Sequence, residues 1–227
     1  MSTLNDTYPH NPSHPNLLLF ATGSVATIKL PQLVITLLQH PLNIKVILSP
    51  TATRFLSPSD LSSISSFVKV YTNDDEWAQP WSRGDPVLHI ELRKWADMLL
   101  IAPLSANSLA GMAGGFCFGL GLSVVRAWDT TAAVGDRGAM GAAKVVVANR
   151  VRKMILVAPA MNTQMYLHPV TEEHLAKLGR WGWVKVLKPV EKMLACGDLG
   201  VGGMMEVPDI VDNVLEVLGI RAMGTHH

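Results

Sequence analysis

The chain has 227 residues, with 19 basic and 18 acidic side chains and a formal net charge of +1. This length suits one α/β domain with a substantial core. The balanced charge, without a recurring basic patch, argues against a nucleic-acid partner. Only two cysteines occur, Cys117 and Cys196, far apart and without a secretory signal. We therefore predict a reducing, cytoplasmic location and no disulfide framework.

Residues 1–16 are rich in Pro, Asn, Ser and His and are predicted to form a disordered tail. A single domain is predicted over 17–219, with a loop or insertion at 132–152 and a second tail at 220–227. Apolar runs predict strands at Leu17–Thr22, Ile44–Ser49, Val68–Thr72, Met98–Pro103, Met154–Val157 and Val184–Leu187. Helical patterns occur between them at 30–38 and 171–181 and after them at 207–218. This alternation predicts an α/β fold with a buried parallel sheet.

The uncharged span from Met98 to Val125 is long enough to cross a bilayer. Pro103, Ser105 and Asn107 interrupt it near its start. A strand, a polar loop and packed small-residue helices are therefore favoured over a membrane span.

Polar residues follow several predicted strands. The first strand leads into Gly23, Ser24 and Val25, which suits either an ordinary βα turn or a phosphate cradle. A dinucleotide fingerprint is absent, because the turn has one glycine and not G-x-G-x-x-G. Ser49 and Thr51 follow the second strand, where they would meet a ligand or simply cap a helix.

Two later strands end in the same way. Met98–Pro103 leads to the loop Ser105, Ala106, Asn107 and Ser108, which begins a helix and offers hydroxyl, amide and N–H donors. The run MILVAPAMNTQM passes from a buried strand to Ala160, Met161, Asn162 and Met165. Since ligands bind at the carboxyl edge of open α/β sheets, these strand ends together predict a binding site.

Two further residues allow opposed interpretations. His89 lies among apolar neighbours, so it is either a hydrogen-bonded core residue or a catalytic base. Cys196 lies in LACGDLGVGGMME, where four glycines indicate a mobile loop. Its thiol is either a buried apolar group or a reactive one. We predict no metal site.

Four motifs occur in a fixed order: TGSVATIK, HIELRKWAD with PLSANSLA, APAMNTQM, and ACGDLGVGGMME. Over about residues 17–218 the chain resembles the phosphopantothenoylcysteine decarboxylases, within the family of homo-oligomeric flavin-containing cysteine decarboxylases. The most specific motifs are APAMN with a following Met, and ACGD-x-G-x-G. The resemblance implies a flavodoxin-like (Rossmann-like) three-layer fold with a central parallel sheet. It also implies a homotrimer that binds FMN noncovalently near the subunit interface.

The resemblance also implies roles for individual residues. His89 is expected to be the catalytic base and Cys196 the proton donor on a flap. Asn162 would hold the substrate carboxylate, and Met165 would shape the same pocket. The residues expected to contact FMN are Gly23, Ser24, Val25, Ser49, Thr51, Ser105, Ala106, Asn107, Ser108 and Ala160. His89 of one subunit is expected to act with Asn162 and Cys196 of its neighbour.

The implied reaction explains these residue types. A cysteinyl carboxylate loses CO₂ poorly, because the carbanion left behind has no electron sink. Oxidation by FMN beside the sulfur would give a thioaldehyde, so that loss of CO₂ leaves an enethiolate. The product, 4′-phosphopantetheine, would then form when the reduced flavin reduces the enethiol and an acid protonates it, and a thiol is a suitable acid. The predicted function is thus decarboxylation of 4′-phosphopantothenoylcysteine in coenzyme A biosynthesis.

The chain departs from the family pattern at three places. Phe118, Gly119, Leu120 and Gly121 replace an Asp-Asn pair followed by two leucines, which predicts a weakened helix start. Lys94 replaces an arginine, and the segment 132–152 is longer than usual.

Two other functions share parts of this pattern. Halotolerance flavoproteins that inhibit a type 1 protein phosphatase resemble the same domain, but they usually carry an acidic tail that this chain lacks. A flavin-binding prenyltransferase is disfavoured, because it does not need the ACGD flap.

Overall fold

The structure is a computed structural model that describes residues 8–131, 152–193 and 199–220. Its centre is a six-stranded parallel sheet in the order β3-β2-β1-β4-β5-β6. These strands are β1 Asn16–Ala21, β2 Asn43–Leu48, β3 Lys69–Tyr71, β4 Met98–Leu104, β5 Met154–Pro159 and β6 Val184–Val186. The predicted parallel α/β sheet is confirmed.

Helices cover both faces of this sheet. In chain order they are α1 Leu30–Leu37, α2 Pro58–Phe67, α3 Asn73–Glu76, α4 Leu88–Trp95, α5 Ala106–Gly114, α6 Leu120–Arg126, α7 Thr163–Tyr166, α8 Pro169–Gly179 and α9 Val207–Leu218. One face packs against α1, α2 and α9, and the other against α4, α5, α6 and α8. The result is a three-layer sandwich, as predicted.

Strand β1 shows why the sheet is apolar on both sides. Leu17 and Leu19 point into the core below α1 and α9, while Leu18 and Phe20 point into the opposite core. Successive side chains of a strand face opposite sides, so a strand between two helix layers must be apolar throughout.

The start of β1 differs slightly from the predicted boundary. Asn16 belongs to the strand and is completely buried, and the Asn43 side chain bonds to it and to the backbone of Asn11 and His14. The division into one domain, an insertion and two tails stays a prediction. Residues 132–151 of the insertion, Cys196 and residues 221–227 lie outside the described residues.

The glycine-rich segment near the carboxyl terminus differs more. Its second half is not a loop: β7 (Val190–Met193) pairs antiparallel with β8 (Leu199–Gly203) in a separate two-stranded sheet. The expectation of a mobile loop is wrong for 199–203, because the backbone there pairs with β7.

The uncharged span does not form one long helix. The uncharged span Met98–Val125 folds as β4, α5 and α6. Within the described ranges, no helix has both the length and the apolar character needed to cross a bilayer.

Candidate active site

The centre of the candidate site is the edge where β1 and β4 end side by side. From β1 the chain continues to β2 and β3 on one side, whereas β4, β5 and β6 lie on the other. The turn after β1 leads to one helix layer and the turn after β4 to the other. Such a switch point opens a crevice at the carboxyl ends of the strands. Gly23–Val25 and Ser105–Ser108 lie on either side of it.

Thr22 links the turn after β1 to the loop after β4 through hydrogen bonds. Its hydroxyl donates to the Pro103 carbonyl (2.8 Å) and accepts from the Ser105 N–H (2.7 Å). Its own N–H donates to the same carbonyl, and the residue is completely buried. Sequence reasoning missed Thr22. A hydroxyl at the end of an apolar strand, directly before the glycine turn, was the available signal.

The turns after β1 and β2 also touch. A Cβ at Gly23 would lie only 2.5 Å from the Cβ of Thr51, so any larger residue would force the turns apart. Beside this contact, Ser24 and Ser49 accept from nearby backbone N–H groups, of Ala26 (3.4 Å) and Ala52 (3.2 Å). Their hydroxyls therefore act as local caps.

The loop after β4 begins a nine-residue helix. The Ser105 hydroxyl accepts from the Ser108 N–H and donates to the Ser108 hydroxyl, and both side chains are buried. The N–H groups of Ala106 and Asn107 have no hydrogen-bond partner among the described residues. Orphan N–H groups at a helix start favour an anion. With the Gly23 turn opposite, this edge fits a phosphate-bearing ligand.

Asn162 follows β5 on the same edge and is exposed. Its Oδ1 accepts from the Met165 N–H (2.8 Å) at the start of α7. Its Nδ2 has no partner among the described residues and is free to donate outward. Met165 is 48% exposed, whereas Ala160 is buried and its N–H donates to Leu104 of β4. An amide donor oriented by its own oxygen suits a carboxylate ligand.

Strand β8 lies directly on the Asn162 loop. The Met161 N–H donates to the Gly202 carbonyl (3.0 Å), and a Cβ on Gly202 would lie 2.6 Å from the Met161 oxygen. Gly202 also has a φ of +114°. A Cβ on Gly200 would meet the Thr163 hydroxyl at 2.2 Å. Gly200 and Gly202 therefore allow β8 to pack closely on this loop. Residues 194–198 connect β7 to β8.

His89 lies elsewhere, in the first turn of α4. Its Nδ1 hydrogen-bonds Oε1 of Glu76 at the end of α3. The side chain of His89 is 24% exposed and that of Glu76 only 6%. Among the described residues, His89 has no hydrogen bond to Asn162 or to the loops at the switch point. Sequence reasoning did not single out Glu76, because it is one of several acidic residues in the segment 73–85.

The unusual helix start at α6 has a cap of its own. The Leu120 N–H donates to Asn73 Oδ1 (3.0 Å), and Gly119, with φ +82°, leaves space for the Asn73 amide. A Cβ on Gly121 would lie 2.3 Å from the Phe20 ring. The prediction of a weakened start thus overlooked a cap supplied by α3.

The sequence matches the family described as Flavoprotein over residues 5–219, so the chain belongs to the flavoprotein family. A phosphopantothenoylcysteine decarboxylase of Oryza sativa subsp. japonica is 40% identical over 215 residues, which are 95% of this chain and 85% of that protein. A protein of Schizosaccharomyces pombe named probable thymidylate synthase is 42% identical over 91% of this chain, but the chain spans only 30% of its length.

Two solved structures have the same fold. A PPC decarboxylase mutant complexed with pantothenoylaminoethenethiol is 39% identical, with a TM-score of 0.77 over 91% of this chain and 99% of that one. The FMN binding protein AtHal3 is also 39% identical, with a TM-score of 0.74 over 92% and 98%. They confirm the predicted flavodoxin-like architecture.

Proposed function

We propose that the chain catalyses the FMN-dependent decarboxylation of 4′-phosphopantothenoylcysteine to 4′-phosphopantetheine in coenzyme A biosynthesis. The predicted enzyme class, a decarboxylase, is confirmed by relatives at about 40% identity. FMN as the cofactor is confirmed by family membership together with the FMN-binding relative. The observation that supports the substrate and mechanism is the exposed amide of Asn162, whose Oδ1 accepts from the Met165 N–H. Its backbone packs against β8, at the same edge of the sheet as the Gly23–Val25 and Ser105–Ser108 loops.

The switch-point residues fit the cofactor. The Gly23–Val25 turn and the Ser105–Ser108 loop would hold its phosphate through backbone N–H groups and hydroxyls. Ser49, Thr51 and Ala160 line the same edge. Bound FMN supplies the reversible two-electron chemistry at the substrate carbon beside sulfur.

The chain's own groups then bind the substrate and move protons. Asn162 Nδ2 donates to the substrate carboxylate and orients it, and the amide adds no charge that would stabilise the ionised reactant. Met165 covers the apolar part of the substrate. His89 accepts a proton through its imidazole, and the Cys196 thiol returns one to the product carbon.

We also propose that the active site forms between subunits of a homotrimer in the cytoplasm. Within one chain His89 lies beside α3, while Asn162 follows β5, beyond β1 and β4 in the sheet order. A second observation supports an interface near Asn162: Met165, Leu167 and Val170 are 48%, 62% and 44% exposed. Neighbouring apolar side chains of this size are typical of protein contacts.

The test is CO₂ release from 4′-phosphopantothenoylcysteine by the purified, FMN-loaded protein. We expect Cys196→Ser to release CO₂ but to accumulate the unreduced enethiol, while Cys117→Ser, at the other and exposed cysteine, keeps full turnover. His89→Asn should abolish CO₂ release. A yellow protein that releases no CO₂ contradicts the proposal, and sedimentation at about one subunit mass contradicts the trimer.

The regulatory alternative stays a prediction. Decarboxylase and HAL3 names occur together among the relatives, including a decarboxylase named HAL3 in Malus domestica at 41% identity. Inhibition of a type 1 protein phosphatase by the purified chain, without CO₂ release, would favour it.

A further inference from the structure

We infer that Glu76 is a positioning residue that holds His89 in one orientation and in one tautomer for proton transfer. The inference deepens the proposed function, because it rests on His89 being the catalytic base. It concerns the hydrogen bond between Glu76 Oε1 and His89 Nδ1.

Glu76 and His89 differ in solvent exposure, as expected of a residue that orients a base and of the base itself. The Glu76 side chain is almost completely buried at 6% exposure, whereas His89 retains 24%. Among the described residues, His89 Nε2 has no hydrogen-bond partner, and it is not buried. The carboxylate thus lies behind the ring, and the second nitrogen remains accessible.

Helix α3 fixes the position of Glu76 from two sides. Thr72 and Asp75 form a capping box, in which the Thr72 N–H and hydroxyl both donate to the Asp75 carboxylate (2.6 and 2.9 Å). Asn73 accepts from Leu120, which joins α3 to α6. A four-residue helix would be marginal by itself. These bonds hold Glu76 against α4.

The chemistry of the pair determines the tautomer. An ionised carboxylate only accepts hydrogen bonds, so Nδ1 must carry the proton and Nε2 keeps its lone pair. Nε2 can then accept the proton that the S–H group of the substrate releases, and the ring becomes an imidazolium. The new positive charge lies against the Glu76 carboxylate, which is close and shielded from water. The proton later leaves from Nε2 to solvent, while the hydrogen bond between Nδ1 and Glu76 is kept throughout.

The first test reads the tautomer without any turnover. In FMN-loaded protein with ¹⁵N-labelled histidine, we expect the neutral His89 ring to show the Nδ1–H form, with His89→Gln used to assign the signals. Glu76→Ala should turn this into a mixture containing the Nε2–H form. An Nε2–H form in the wild type, or an unchanged spectrum in Glu76→Ala, would overturn the inference.

The second test measures turnover. Glu76→Gln can present an N–H to Nδ1 and favour the wrong tautomer, so we expect kcat to fall about tenfold or more with little change in KM. Glu76→Asp keeps the charge and should retain more activity than the Gln variant. Glu91→Gln is the matched control: Glu91 lies on the same helix as His89 but pairs with Lys94.

The outcomes separate the two claims. If Glu76→Gln and Glu91→Gln give the same kcat, the positioning role is wrong even in an active enzyme. If the wild type releases no CO₂, the proposed function fails, while the tautomer spectrum still decides whether Glu76 orients His89. FMN absorbance and the melting temperature of each variant show whether a loss of activity is a loss of fold.

Discussion

The two halves of the candidate site are held in place in different ways. At the switch point, buried hydroxyls join neighbouring loops, with Thr22 bonded to both Pro103 and Ser105. At the Asn162 loop, β8 is placed by one backbone hydrogen bond and by glycines that allow close approach. The first arrangement gains energy from satisfied buried polar groups. The packing of β8 on the Asn162 loop depends on glycines, which have no side chain to prevent close approach.

This difference suggests a division of work. The proposed cofactor edge at the switch point is already formed in the folded chain, as a cofactor that stays bound requires. A region that must admit substrate and release product needs contacts that can be exchanged. We therefore expect changes at the switch point to lower stability and flavin binding together. Changes at β8 should lower turnover while flavin remains bound.

The strongest test of this division is Gly202→Ala. Its φ of +114° strains any L side chain, and the new Cβ would lie 2.6 Å from the Met161 oxygen. We expect a cost of about 3 kcal/mol from strain and contact together, which weakens the docking of β8. Turnover should fall about 100-fold, while FMN absorbance per subunit stays at the wild-type value.

Gly219→Ala is the matched control. Gly219 also has a positive φ, of +68°, but a Cβ there meets nothing within 4 Å. This variant carries backbone strain without the contact, so we expect a lower melting temperature and normal turnover. Equal loss of turnover in both variants would mean that general instability, and not the docking of β8, limits the reaction.

The second test, Thr22→Val, breaks the switch point. The substitution keeps the shape but removes the hydroxyl that donates to Pro103 and accepts from Ser105. A buried Ser105 N–H left unsatisfied should cost about 2 kcal/mol. We expect a lower urea midpoint at fixed protein concentration and weaker FMN retention on dialysis.

Thr36→Val provides the comparison for Thr22. Its hydroxyl also bonds a backbone carbonyl, of Gln32, but on the exposed side of α1. We expect a change in unfolding free energy of less than about 0.5 kcal/mol and normal FMN content. If Thr22→Val keeps its FMN as well as Thr36→Val does, the link between the loops is not what forms the cofactor edge.

Much of the fold could be predicted because it depends on local pattern. Helix α9 was predicted at Val207–Leu218 and is found there, since its apolar residues recur at helical spacing and Gly219 ends it. Buried strands such as β4 are continuous apolar runs. Strand β8 was missed because five residues, three of them glycine, have no strand pattern; only pairing with β7 makes them one.

The site was less predictable for a related reason. The loops at the carboxyl edge of the sheet follow the strand ends, so the positions of Gly23 and Asn162 at that edge could be predicted from sequence. Thr22, Glu76 and Asn73 act through contacts with residues 83, 13 and 47 positions away. Nothing local distinguishes Glu76 from the other acidic residues of its segment, because its role depends on how α3 packs beside α4.

The smallest expected effect is at α2, away from both regions. The Ser57 hydroxyl accepts from the Asp60 N–H, and side-chain and backbone bonds from Ser57 hold the pKa of the Asp60 carboxyl below its ordinary value. Ser57→Ala should lower the unfolding free energy by about 1 kcal/mol at neutral pH through the lost cap. A carboxyl whose pKa is lowered by folding stabilises the folded state at pH values above its unfolded pKa. This stabilisation by the ionised carboxyl is lost as the pH falls through the folded pKa.

The difference between the Ser57→Ala variant and the wild type should therefore be largest near pH 7 and shrink on acidification, as followed by melting temperature. Ser62→Ala, at an exposed position of the same helix, should be neutral or slightly stabilising. Neither change should alter FMN content or turnover, because the Ser57 side chain hydrogen-bonds only to Ser59 and Asp60 of its own helix among the described residues. A loss of flavin in the Ser57 variant alone would show that the stability of the whole domain limits cofactor binding. The switch point and the Asn162 loop would then not differ in how they affect flavin binding.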